Sequence, residues 1–226
     1  MHFRPFRSSS LAVLATLVLL GACKKAPSDA APAPAPQPTG ESATLPADAA
    51  SAAAPALAEP DLARMAERTL PSIDDHVPSA LVSVLSFAPR MDDKKRVAVA
   101  VPTTWVQLAQ TGTFGPPAGA QLGAGTMMSF GSGCDGRCAP KDWPSAFDKV
   151  EVKSLMMQKI ESDEPIGNSG RVVVGQVGGM KQIVAGLWKP EASRYFWCRA
   201  TLDGPAVEAL TAFVVACRGM EIGRWE

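Results

Sequence analysis

From residue 61 onward the chain alternates short apolar runs with polar breaks rich in Gly and Pro, and the spacing of the apolar positions predicts most of the elements. Asp61, directly after Pro60, opens a helical pattern in which Leu62, Met65, Ala66 and Thr69/Leu70 share one face, and Pro71 closes it. Residues 71–78 read as a loop. Ala80 to Phe87 is rich enough in Val and Leu for a strand buried on both faces. After the polar turn Pro89 to Lys95, Arg96 to Val101 is a second strand stopped by Pro102, which makes a hairpin. Trp105 to Leu108 extends it. A long Gly/Pro-rich loop, 111–125, leads into a third strand, Thr126 to Phe130.

The second half has the plainer signals. Asp142-Trp143-Pro144 has the form of a helix start, and Phe147, Val150, Val152, Leu155, Met156 and Ile160 continue an imperfect stripe, predicting helix from about 143 to 159. Glu161 to Gly170 is polar and turn-forming. Arg171 to Val177 and Met180 to Trp188 flank Gly178-Gly179, a hairpin pattern, and after a turn at Pro190 to Ser193 comes a strand at Arg194 to Leu202. Asp203-Gly204-Pro205 starts a last helix with Val207, Leu210, Thr211, Val214 and Val215 as core face and Gly219 as its end. The order predicts an α+β domain over 61–226, with a mostly antiparallel central sheet of about six strands and helices packed on its faces.

The segment before that domain has a different character. Ala26 to Pro60 holds 14 Ala and 8 Pro in 35 residues, with only Leu45 and Leu57 as large apolar side chains. So little apolar area cannot offset the entropy of ordering, and the Ala-Pro pairs from Ala31 to Pro36 favour extended polyproline conformations. The expectation is a disordered tether over 23–60, reaching on the order of 30 to 100 Å. Further back, Arg4 and Arg7 precede an apolar run from Leu11 to Leu20 that ends in small residues. As a helix that run rises about 15 Å, half of what a hydrocarbon core requires, so it reads as a secretory signal peptide over 1–22.

Leu20-Gly21-Ala22-Cys23 resembles the lipobox of bacterial lipoproteins. The resemblance implies cleavage after Ala22, lipid attachment at Cys23 (with palmitate among its acyl chains) and a membrane partner through that lipid. Lys24, where an inner-membrane lipoprotein often has Asp, implies the outer membrane. The other reading is an ordinary secreted protein cut near Ala22, with Cys23 a spare thiol.

Charge excludes one class of partner. Removing Arg4 and Arg7 from 22 basic residues leaves 20 against 22 acidic ones, and the one basic cluster, Lys94-Lys95-Arg96, follows Asp92 and Asp93 directly, so no nucleic-acid partner is expected. Of five cysteines, setting Cys23 aside leaves Cys134, Cys138, Cys198 and Cys217, an even number suited to an oxidising compartment. Four cysteines allow three pairings. Cys134 with Cys138 and Cys198 with Cys217 is favoured, because a strand and the helix folding back over it approach each other. No metal ligand set or cofactor motif stands out: His76 beside Asp74 and Asp75 is alone in sequence, and Cys134 to Cys138 has one residue more than the usual redox pair.

The strand Arg96 to Val101 running into Pro102 and Trp105, and the strand Tyr195-Phe196-Trp197-Cys198 followed by a helix with Phe213, are similar to PsbP-like domains over residues 80–222. That resemblance implies a central antiparallel sheet with helices on both sides, in a family that includes an extrinsic subunit of photosystem II and bacterial relatives without an assigned role. The function expected is a lipid-anchored, non-enzymatic binding or assembly module of the cell envelope. Its partner would be another envelope protein, met at the loops 111–125 and 134–138. Two alternatives come from other classes. One is a small envelope hydrolase or metal-dependent enzyme using His76 and Asp75, the other a redox protein using Cys134 and Cys138.

Overall fold

The computed structural model describes residues 58–108, 112–133 and 141–224. Cys23, the tether up to residue 57, and the Cys134 and Cys138 loop lie outside the described residues. Helix α1 (Leu62–Asp74) is capped by the Asp61 carboxylate, which accepts the Arg64 amide at 2.9 Å. It runs on through Pro71, the expected end. Carrying the helix one more turn buries Ile73 in line with Met65 and Thr69, and Pro71 itself lies on the exposed side.

Strands β1 (Phe87–Met91) and β2 (Val97–Pro102) form the hairpin, set several residues later than the apolar run 80–87 suggests. The turn decides the register. Asp92 accepts the amides of Arg96 and Val97 at 2.6 and 3.0 Å, so counting back from Pro102 brings Phe87, not Ala80, to the strand's start. Val82 and Val84 are left exposed in turns. Pro89 is accommodated because β1 is an edge strand.

Strands β3 (Val106–Gln107), β4 (Thr113–Gly115) and β5 (Met127–Gly133) lead to the short helix α2 (Trp143–Phe147). In place of a helix to residue 159, α2 widens into a π turn at Asp148–Val152, tightens into a 3₁₀ turn at Lys153–Leu155, and stops where Met156 adopts φ 49°. The polar segment expected as a turn is instead a strand, β6 (Lys159–Ile166). β7 (Gly170–Val177), β8 (Met180–Lys189) and β9 (Arg194–Leu202) follow, then a 3₁₀ turn at Gly204–Ala209, helix α3 (Leu210–Arg218) and a two-residue strand, β10 (Glu221–Ile222). The buried face of α3 is Ala212, Phe213, Ala216 and Cys217, one position round from the predicted face. Val214 and Val215 are only partly buried.

All pairings are antiparallel, so the α+β class holds, with two sheets rather than one: β1-β2-β10, and the seven-stranded β3-β4-β5-β9-β8-β7-β6. The central strands β7, β8 and β9 of the larger sheet are buried on both faces. Val172, Val174, Ile183, Ala185, Phe196 and Cys198 join α1, α3 and β2 in the main core, while Val173, Val184, Trp188 and Tyr195 form a smaller core with Phe147 of α2. That double burial is why β7 to β9 read as continuous apolar runs. Cys198 and Cys217 are disulfide-bonded, 19 residues apart and both fully buried, tying β9 to α3.

Gly186 makes room for α2. A Cβ there would lie 2.5 Å from the Phe147 ring. Gly186→Val is therefore expected to cost about 1–3 kcal/mol through overpacking and to loosen α2. Urea unfolding together with trypsin cleavage at Lys149 and Lys153 reads both effects, and an unchanged midpoint with no faster cleavage would refute the dependence.

Candidate functional site

The described part of the expected contact loop, 112–125, is pinned at its second half, in part through Thr126 just after it. Leu122 is buried beneath it, the Thr126 hydroxyl donates to the Leu122 carbonyl at 2.7 Å and accepts the Asp203 amide at 3.1 Å, and the Asp203 carboxylate accepts the Gly125 amide at 3.4 Å. Gly123, at φ 89°, is a required glycine: a Cβ would come within 2.5 Å of the Asp203 carbonyl oxygen. Beneath its start, Phe114 and Phe130 stack with centroids 5.7 Å apart. Fixed in this way, the loop presents a concave surface of about 380 Å³ lined by Leu108, Pro116, Pro117, Ala118, Ala120 and Met127. Leu108 and Met127 are about two-fifths exposed, and Val106 of the adjoining edge strand is 48 % exposed. Apolar exposure gathered at one end of a sheet, on a loop held in place, is suited to contact with another protein.

The opposite face of the sheet carries a buried charge that sequence reading did not single out. Glu151, in the π turn and 2 % exposed, accepts the Tyr195 hydroxyl at 3.1 Å and is ion-paired with Arg199, whose guanidinium lies 5.0 Å from the Trp197 ring centroid. Burial pushes the Glu151 carboxyl above its ordinary value against the pull of Arg199 and Tyr195, and burial beside that carboxylate raises the Tyr195 phenol. The arrangement anchors the π turn to β9. The π turn is what aims Glu151 inward, and no apolar periodicity announces such a turn.

A second polar anchor holds the same segment from the other side. Arg171 donates through Nε and one terminal nitrogen to both oxygens of Asp163 at 2.8 and 2.6 Å, and through the other to Asp148 at 2.5 Å, linking β7, β6 and the π turn. The hydrogen bonds from Arg171 hold the Asp163 carboxyl below its ordinary value. Its contribution to stability is thus present above the ordinary carboxylate range and lost as pH falls through the depressed value. The pair is part-exposed, so Asp163→Asn should remove less than about 1 kcal/mol at neutral pH. It should also flatten the acid limb of stability against pH, and an unaltered limb would sink this assignment.

Of the residues singled out for enzymatic alternatives, Cys134 and Cys138 lie outside the described residues. Asp74, Asp75 and His76 are all exposed at the end of α1. Among the described residues there is no group of three or more His, Cys, Asp or Glu able to hold a metal ion, and no helix is long and apolar enough to cross a membrane. Neither a protein-family model nor a curated protein matches this chain. The site therefore stands on geometry: the pinned apolar loop, and a cation-lined cavity at the other end of the main core, enclosed by α1, the end of α3, β10 and the end of β8.

Proposed function

We propose that the chain is a lipid-anchored protein of the cell envelope, attached through Cys23 to the outer membrane, and that its α+β domain is a non-enzymatic module that docks another envelope protein. The observation that carries the docking role is the apolar shelf of Leu108, Met127 and the 116–120 turn, on a loop made rigid by Thr126 and Asp203. A preformed apolar surface contributes to association without the entropic cost of ordering a loop. The buried Cys198–Cys217 bridge supports export to an oxidising compartment. The run Leu11 to Leu20, the small residues before Cys23 and the Ala/Pro-rich stretch after it support anchor and tether.

Two experiments test the two halves. Intact mass of the detergent-extracted protein should show residues 1–22 removed and a diacylated or triacylated Cys23, and an unmodified Cys23 would overturn the anchor. For the docking role, in-cell crosslinking through a photoreactive residue at Ala118 should give a discrete adduct. Leu108→Glu with Met127→Glu should abolish that adduct while leaving the unfolding midpoint in place. An adduct that survives the double substitution would move the contact elsewhere.

A further inference from the structure

The cavity at the far end of the main core has a volume of about 730 Å³, in the range of small-molecule sites. Its walls bring together Arg64 and Arg68 of α1, Arg218 of α3, Lys189 of β8 and Arg224 beyond β10, against two carboxylates, Glu191 and Glu221. In a chain with 22 basic and 22 acidic residues, this is a local concentration of positive charge. Glu221 is buried, and both Arg64 and Arg68 pair with it, Arg68 at 3.2 Å. One carboxylate between two guanidiniums leaves one positive charge in excess and holds both forks in place. Arg68 also donates to the Gly219 carbonyl at 3.3 Å, satisfying the end of α3, and Arg218 is steadied by Glu164 at 3.0 Å. Lys189 and Arg224 have no carboxylate partner among the described residues. With Glu164 included, five cations face three carboxylates, a surplus of two charges.

We propose that this cavity binds the dianion of a phosphate monoester. A guanidinium fork matches phosphate oxygens in two-point contact, and a tetrahedral dianion can engage forks arriving from separate elements, which a planar monocarboxylate cannot. The doubly charged surplus is close to the charge of that group at neutral pH, about −1.5 to −2. The Ala58 amide donates to the Arg224 carbonyl at 2.6 Å, so the chain enters the domain at the rim of this cavity. A phosphate on a lipid headgroup and one on a soluble metabolite present the same chemistry there. The assignment does not depend on the docking surface or on the lipid at Cys23.

The test titrates the full chain, purified in detergent, with glycerol phosphate by calorimetry at fixed ionic strength, with succinate as a dicarboxylate control. Vesicles of phosphatidylcholine, with and without phosphatidic acid, form a second arm. Saturable binding of glycerol phosphate, weakened on the order of ten-fold by Arg224→Glu and again by Lys189→Glu, supports the site and a soluble source. Binding confined to phosphatidic acid vesicles and lost in the same variants supports the site with a lipid source. Both positions line the cavity and neither is ion-paired with Glu221, and an unchanged near-ultraviolet circular dichroism spectrum establishes that the variants fold. Equal binding of succinate, binding unaltered by the two substitutions, or no saturable binding in either arm overturns the proposal.

Discussion

Phe213→Ala should cost about 3–5 kcal/mol, the range for deleting a fully buried aromatic ring. That is a large share of the roughly 5–15 kcal/mol by which domains are usually stable. Phe213 is fully buried on α3, where its ring meets Phe87 edge-on at 5.3 Å and Trp105 at 5.5 Å. These contacts join three parts of the fold: the helix, the β1 hairpin and the segment after β2. Removing the ring leaves a void that neither the hairpin nor the large sheet can close without giving up its own pairing. Urea unfolding followed by circular dichroism would measure the loss, and Phe213→Leu should recover more than half of it. A loss below about 1 kcal/mol would mean that the hairpin is not held through α3.

Replacing Cys198 and Cys217 together with Ala should cost about 3 kcal/mol, mainly by freeing the unfolded chain, since the bridge closes a loop with a sequence separation of 19. For a domain of this size that corresponds to a fall in midpoint of roughly 6–12 °C. Both sulfurs are fully buried, so reductant alone should leave the folded protein oxidised, and thiol labelling should appear only with denaturant. Labelling of these two positions in the native protein would contradict their burial, and an unshifted midpoint in the double variant would contradict the stabilising role.

The parts of the fold that could be read from the chain are those where one local pattern determines one element. The β7 and β8 hairpin follows from two apolar runs around Gly178-Gly179, and Gly178 does take the left-handed conformation at φ 58°. The strand 194–202 was bounded by Pro190 to Ser193 and Asp203-Gly204, and the pairing of Cys198 with Cys217 followed from that strand and the helix returning over it. Where tertiary contacts decide, local pattern misled. Burial of Ile73 carries α1 past Pro71, and β6 is polar along most of its length, so it has no alternation to detect. β10 is too short to show any period. Of the candidate sites, the Gly/Pro loop stood out by composition, whereas the basic cavity draws single cations from positions as far apart as Arg64 and Arg224, which only the topology unites. His76 and its acidic neighbours adjoin in sequence and lie exposed at the end of α1, and among the described residues no metal-holding group includes them.

The seven-stranded sheet ends at β6, which sets Lys159 and then three acids, Glu161, Asp163 and Glu164, along an exposed edge, with a bulge between Ile160 and Ser162 and a proline at Pro165. Pro165 cannot donate to a neighbour, the bulge breaks the ladder's spacing, and the charges resist desolvation. A second copy arriving in the same orientation would meet like charges opposite its own and an interrupted row of amides. Copies of this domain can therefore be crowded together without pairing along β6, which leaves the protein's assembly to surfaces other than its longest strand edge.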